Sequence, residues 1–283
     1  MKFLVIGDPI AHSLSPAMQN AGFEFYHLGA PYDKRQVTLA ELPAFAEYAR
    51  KHLDGFNITV PHKNAILPFL DEITPEAKLA ESVNTVAVRD GKLYGYSTDG
   101  YGLEKALESA FDCRLSGKAI LFIGCGGAVQ ATACHLATLG VKAIYVVNRT
   151  VDKAEALAAK IHQIAPGLTV KTAALSEVDA LRDFLHHADI LVQGSSLGLK
   201  ADDPAPFDLA LLDGIKNLCV FDTIYKETKL LAAARSLHLA AAGGLPMLLY
   251  QGAKAFEIWL GRPAPVEVMK QKLEEAYHAA LGH

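Results

Sequence analysis

The chain is poor in cysteine, with four in 283 residues. Cys113, Cys125, Cys134 and Cys219 show no C-x-x-C spacing and no grouping with histidine, so no zinc site or disulfide framework is expected and the thiols read as reduced. A chain of this length buries a core without either. Long apolar runs are missing too. No uncharged stretch approaches the roughly 18 to 20 residues that span a bilayer. The apolar run over residues 2–6 is shorter than a signal-peptide core and ends at Gly7-Asp8-Pro9, with no small-residue cleavage site. A cytoplasmic protein with no membrane partner is expected. A surplus of one charge is also absent. The 27 Lys and Arg and 31 Asp and Glu leave a formal charge of −4, which gives nucleic acid no general attraction and leaves any anionic ligand to a local cluster. Internal repeats and low-complexity tracts are absent.

What is present is an ordinary globular mixture. Hydrophobic residues at 51% and charged residues at 20% exclude a disordered or fibrous chain. The length suits two domains. Residues 2–6 read as a buried strand feeding the loop Asp8–Ser15, after which a helix is expected with Ser15 as N-cap and Pro16 in its first turn. A strand around Pro31–Val37, a helix over Ala40–His52 and a buried strand over Gly55–Val60 follow, and Lys63 falls at the opening of the next helical stretch. Val83–Arg89 and Lys92–Tyr96 pair as a hairpin through Asp90-Gly91. Asp99 stands before a helix over Tyr101–Phe111.

From Lys118 onward strand and helix alternate: Ala119–Ile123, Ala143–Val147, Leu168–Thr172, Asp189–Gln193 and Leu218–Phe221 read as strands with helices between. That rhythm predicts an α/β fold with a doubly wound parallel sheet. After about Leu237 the chain reads as helical, through Pro246–Leu260 and Pro265–Leu281. Three segments follow: an α/β domain at 1–100, a Rossmann-type doubly wound domain at 101–237, and C-terminal helices at 238–283 that are expected to return to the first domain.

Gly124-Cys125-Gly126-Gly127 follows an apolar strand and opens a helical run at Ala128. Glycine there lets backbone approach a pyrophosphate, and the helix N-terminus supplies open amides and partial positive charge. Val129 stands where G-x-G-x-x-G has its third glycine. The next strand ends in Asn148-Arg149-Thr150, with no carboxylate for a ribose 2′-hydroxyl. A guanidinium holds a 2′-phosphate through charge-assisted hydrogen bonds, so NADP is the expected cofactor. Lys153 could add charge, offset by Asp152. Thr150 also reads as a helix N-cap.

Several fragments occur in one order: Ser13-Leu14-Ser15-Pro16, Asn57-Ile58-Thr59-Val60-Pro61-His62-Lys63, Val83-Asn84-Thr85, Thr98-Asp99-Gly100, Asn148-Arg149-Thr150, Asp222-Thr223-Ile224-Tyr225 and Gly244–Gln251. Together they resemble the shikimate dehydrogenase family across nearly the whole chain. The resemblance implies reversible NADPH-dependent reduction of 3-dehydroshikimate to shikimate, in a cleft between two domains. It makes Lys63 and Asp99 the pair at the reacting carbon, and Ser13, Ser15, Thr59, Asn84, Tyr225 and Gln251 the substrate-binding set. It also makes Gly124, Gly126, Gly127, Ala128, Asn148, Arg149, Thr150, Lys153, Thr223 and Gly244 the cofactor contacts. Ketone reduction needs a hydride and a proton for the developing alkoxide, which Lys63 can donate while Asp99 orients it. Asn57, His62 and His12 read as structural. A monomer or homodimer acting on a small carboxylated polyol is implied. A quinate-active paralogue and a non-catalytic dinucleotide sensor are the alternatives.

The chain departs from the family pattern at three places. Ser97 stands where asparagine is usual, Gln193-Gly194-Ser195 replaces Asn-Ala-Thr, and Cys125 replaces alanine in the glycine loop. The catalytic pair is untouched, so substrate preference is the property these changes bear on.

Overall fold

The computed structural model describes residues 1–200 and 202–282. The chain divides into two compact units, Met1–Gly102 with Leu248–His283, and Leu103–Met247.

The first unit runs β1 (Phe3–Gly7), α1 (Ser15–Phe25), β2 (Tyr32–Gln36), a 3-10 turn (Leu39–Glu41), α2 (Leu42–His52), β3 (Gly55–Ile58), α3 (His62–Ala65), β4 (Glu72–Ile73), α4 (Pro75–Leu79), β5 (Thr85–Arg89), β6 (Lys92–Tyr96) and the start of α5 (Asp99–Phe111). Among the described residues its sheet has the order β2-β1-β3-β5-β6-β4. β1 is buried at every position, as a central parallel strand must be. α2 buries Leu42, Phe45, Ala46 and Ala49 at i, i+3, i+4 and i+7, one face of a 3.6-residue period. Asp90 and Gly91 take φ of 51° and 74° in the two-residue hairpin, the left-handed pair a type I′ turn requires.

The second unit continues α5 and adds β7 (Ala119–Ile123), α6 (Gly127–Ala137), β8 (Ala143–Asn148), α7 (Val151–Ile164), β9 (Thr169–Ala174), α8 (Val178–His187), β10 (Ile190–Gln193), β11 (Cys219–Asp222), α9 (Lys229–Ser236) and β12 (Ala240–Gly243). The sheet order is β12-β11-β10-β7-β8-β9, parallel throughout. In chain order from β7 this is 3-2-1-4-5-6 read from the β9 edge, the doubly wound dinucleotide topology. Its core stacks Tyr145 on Phe184, with ring centroids 4.8 Å apart. Each fully buried side chain of this size contributes roughly 1.5–3 kcal/mol.

The chain then enters α10 (Leu245–Leu260) and ends in α11 (Val266–Leu281). From Leu248 onward these helices belong to the first unit, where Phe256 stacks on Phe23 at 5.3 Å and Trp259 donates to the Val86 carbonyl at 2.9 Å.

Two expectations are corrected. Residues 240–243 form a strand, β12, beside β11, where helix was expected, and the second unit therefore extends to Met247. Ser15 is the first residue of α1 and gives no side-chain cap; Leu14 holds the cap position, and the Ser13 hydroxyl accepts from the Ser15 amide at 3.4 Å. The structural reason is that the loop turns one residue earlier, which leaves Ser13 as the hydroxyl beneath the first turn. No described helix is long and apolar enough to cross a membrane.

Candidate active site

Topology collects the catalytic candidates at one end of the interior strands of the first sheet. β3 and β5 are antiparallel with Asn57 opposite Thr85, and Thr85 in turn faces Tyr96 of β6. The end of β3, the start of β5 and the end of β6 therefore coincide, and Lys63, Asn84 and Asp99 leave the sheet there. Lys63 Nζ donates to Asp99 Oδ2 at 2.6 Å, with the two side chains 18% and 6% exposed. Asn84 Nδ2 donates to the other carboxylate oxygen, Oδ1, at 2.8 Å and to the Thr98 hydroxyl at 2.9 Å, with Gln251 Oε1 a longer shared contact at 3.2 Å. Gln251 Nε2 is anchored on the Leu248 carbonyl at 2.9 Å. Asp99 is the first residue of α5, where a carboxylate is favoured by the helix dipole. A buried carboxylate held at both oxygens and facing a half-buried ammonium is built to orient a proton donor.

Four of the sequence-predicted residues, Lys63, Asp99, Asn84 and Gln251, thus share one hydrogen-bonded cluster. Ser13 and Thr59 sit on the loops after β1 and β3, which leave the sheet side by side because Ile6 pairs with Ile58, and Ser15 opens α1 at the end of the first of these loops. The Thr59 methyl is so close to Gly7 that a Cβ there would lie 2.5 Å from it. Ser15 is buried beside the Tyr32 phenol. Tyr225 belongs to the second unit, exposed on the loop after β11.

Asn57 and His62 make buried hydrogen bonds within the first unit. Tyr32 donates to Asn57 Oδ1 at 2.7 Å, and His62 Nε2 meets the Val37 carbonyl at 2.5 Å, pinning the turn that carries Lys63. Tyr32, Thr85 and Thr98, for which the sequence reading gave no role, complete the polar core behind the pair. The available signal was Asn57 itself, an amide in a fully buried four-residue strand that must find buried partners.

In the second unit the glycine loop follows β7, and the loop after β10 lies against it at the point where the strand order reverses. Gly124 has φ of 100°, and a Cβ there would meet the Ser195 amide nitrogen at 2.9 Å. A Cβ at Gly194 would lie 2.3 Å from Val129 Cγ2. The close helix-to-loop approach that a third glycine at 129 would permit is thus supplied from the other side, by Gly194. Gln193 Oε1 accepts the Ser195 amide at 2.7 Å and Nε2 donates to the Leu197 carbonyl at 2.8 Å, so the longer amide ties its own loop.

Gly126 caps α6 with open space around it, and the first-turn amides of Gly127, Ala128 and Val129 have no intrahelical partner. That cradle fits a dinucleotide pyrophosphate. Asn148 Nδ2 closes the turn after β8 on the Thr150 carbonyl at 2.8 Å, leaving Arg149 exposed at the strand end. Thr150 occupies the cap position of α7 without a side-chain cap bond, so the capping alternative is not realised. Lys153 is exposed, and its carbonyl accepts from Cys125 Sγ at 3.1 Å. Gly244 abuts Thr223, whose carbonyl oxygen would lie 2.1 Å from a Cβ.

Burial pushes the Cys125 thiol up, so it is an inert packing group in the loop. Burial likewise raises the Asp222 carboxyl, against hydrogen bonds from the Ile224 amide at 3.0 Å and the Thr228 hydroxyl at 2.8 Å. No cluster of three or more His, Cys, Asp or Glu suited to a metal occurs among the described residues.

Comparison with known proteins agrees with this geometry along the length of the chain. Residues 5–86 match the shikimate dehydrogenase substrate binding domain, residues 105–198 the shikimate / quinate 5-dehydrogenase model and residues 244–274 the shikimate 5′-dehydrogenase C-terminal domain. A shikimate dehydrogenase (NADP(+)) of Bacillus cereus (strain AH187) is 42% identical over 273 residues, covering 94% of this chain and 95% of the relative. The solved shikimate dehydrogenase of Aquifex aeolicus superposes with a TM-score of 0.85 at 37% identity, over 96% of this chain and 97% of that one. The shikimate 5-dehydrogenase of Thermus thermophilus, in complex with NADP(H) and shikimate, gives 0.85 at 33% identity over 98% and 99%. With models, relatives and structures in agreement over both units, the chain belongs to the shikimate dehydrogenase family.

Proposed function

We propose that the protein is an NADP-dependent shikimate dehydrogenase that reversibly reduces 3-dehydroshikimate to shikimate, with Lys63 and Asp99 at the reacting carbon. The observation that carries this is the Lys63–Asp99 ion pair at 2.6 Å, braced by Asn84 and Gln251. When bound, NADPH supplies the hydride. The Lys63 ammonium delivers the proton to the developing alkoxide, and Asp99 holds that ammonium while accepting from the neighbouring substrate hydroxyl. Asn84, Gln251 and Thr59 offer neutral donors and acceptors suited to ring hydroxyls. The Ser13, Ser15 and Tyr225 hydroxyls suit the carboxylate, needing no fixed positive charge.

In this reading the first unit binds substrate. The second holds NADP, through the amides at Gly124, Gly126, Gly127 and Ala128 and through Asn148, Arg149, Thr150 and Lys153, with Thr223 and Gly244 at the nicotinamide end. The test is a panel of initial rates with shikimate and quinate against NADP and NAD. Turnover concentrated in shikimate with NADP is expected; comparable turnover on quinate, or faster reaction with NAD, would assign a different substrate or cofactor.

A further inference from the structure

We propose that Thr85, with Asn57 and Tyr32 behind it, is a positioning residue for the Lys63–Asp99 pair, acting together with the Thr98 amide to fix by hydrogen bonds which end of the Asn84 amide faces Asp99. This rests on the assignment of that pair as the reacting groups.

An asparagine amide has two ends of nearly equal shape and opposite polarity. If Nδ2 of Asn84 faces Asp99 it braces the carboxylate; if Oδ1 faced it, two acceptors would repel. The observed orientation spends Nδ2 on Asp99 Oδ1 at 2.8 Å and Thr98 Oγ1 at 2.9 Å. Oδ1 accepts the Thr98 amide at 2.8 Å and the Thr85 hydroxyl at 3.2 Å. Asn57 Nδ2 donates to Thr85 Oγ1 at 3.0 Å, which leaves the Thr85 proton for Asn84 Oδ1, the nearer acceptor, over Thr98 Oγ1 at 3.4 Å.

Asn57 in turn cannot reverse. Its Nδ2 also donates to the Asn84 main-chain carbonyl at 3.1 Å, which only accepts, and its Oδ1 accepts the Tyr32 hydroxyl at 2.7 Å. The polarity therefore runs in one sense: Tyr32 hydroxyl to Asn57, Asn57 to Thr85, Thr85 to Asn84, Asn84 to Asp99. The linked groups are buried, Tyr32 being 3% exposed, Asn57 6%, Asn84 2%, Thr85 0% and Thr98 1%, so bulk solvent does not stand in for a missing link. Burial also holds the Tyr32 phenol well above its usual range, so it stays a donor. A buried donor or acceptor stripped of its partner costs enough to reorient an amide.

The deciding pair is Thr85→Val, which keeps the shape and removes the hydroxyl, against Thr85→Ser, which keeps the hydroxyl. Expected for Thr85→Val is a kcat roughly tenfold lower, with KM for shikimate changed less than kcat and NADP affinity unchanged. Thr85→Ser is expected to stay within about threefold of wild type. In the ligand-free protein the Asn84 side-chain NH2 should be a single, exchange-protected pair of NMR resonances in wild type and Thr85→Ser, broadened or exchanging in Thr85→Val. Tyr32→Phe should show the same pattern more weakly. Wild-type kcat and a protected Asn84 amide in Thr85→Val would overturn the proposal, and so would Thr85→Ser falling as far as Thr85→Val, which would make the effect one of packing. The NMR arm needs no substrate. Should wild type fail to turn over shikimate with NADP, the functional reading falls while the amide resonances still decide this one.

Discussion

Asp99 divides its two oxygens between an ammonium and an amide, and that division gives the site its direction. Asp99→Asn keeps the shape but faces Lys63 with a neutral group, so turnover is expected to fall by ~10²-fold or more with NADPH affinity largely unchanged, measured by steady-state rates and cofactor titration. Arg149 belongs to a different task. Arg149→Ala is expected to weaken NADPH binding with little change for NADH, and equal loss for both would remove the 2′-phosphate assignment. At this scale the sequence announced Lys63, Asp99, Asn84 and Gln251 through the family's motifs, because chemistry-bearing residues there recur in fixed order. It did not announce Thr85 or Tyr32. Their importance comes from cross-strand register, Asn57 opposite Thr85, which no linear spacing displays.

Elements meet in this protein through small complementary choices. Gly194 leaves room for Val129 Cγ2, so Gly194→Ala should destabilise the second unit by about 1–3 kcal/mol in chemical denaturation. Val129→Ala combined with it should recover most of that loss, a non-additivity expected only if the two sites touch. In the first unit Asp71 joins α2 to β6, accepting from Arg50 and from the Leu93 amide at 2.7 Å. Those contacts lower its carboxyl from the usual 3.8, the main-chain amide most and Arg50 next. A depressed carboxyl adds stability above its unfolded value and loses it as pH falls through the folded one. Asp71→Asn should therefore melt below wild type by a steady margin from neutral down to mild acid, the margin closing once the pH drops below the ordinary carboxylate range. Most elements were legible from period and punctuation. β12 was not, because Ala-Ala-Ala-Gly has no β-branched residue and its strand character comes only from pairing with β11. β4, two residues long, was equally silent.

At the scale of the whole chain, the change from mixed to strictly alternating elements near Lys118 was visible in sequence as a change of rhythm. Strand order was not, since local pattern does not say which strands are neighbours. Two units with separate chemistry make a thermal prediction. A ligand held only by the folded state stabilises by about 2.7 kcal/mol at a hundredfold excess over Kd, so NADP should raise Tm by several degrees and NAD at the same concentration by less. Equal shifts would contradict the cofactor assignment. The central claim is that Lys63 exchanges the proton with the oxygen on the carbon that exchanges hydride with the nicotinamide, donating it in reduction and taking it up in oxidation. Its most direct test is the single-turnover rate of hydride transfer between shikimate and NADP in Lys63→Ala, with cofactor affinity and Tm measured on the same sample because the buried Asp99 loses its partner. A rate lower by ~10²-fold or more with unchanged NADP binding is predicted; a rate near that of wild type would contradict the account.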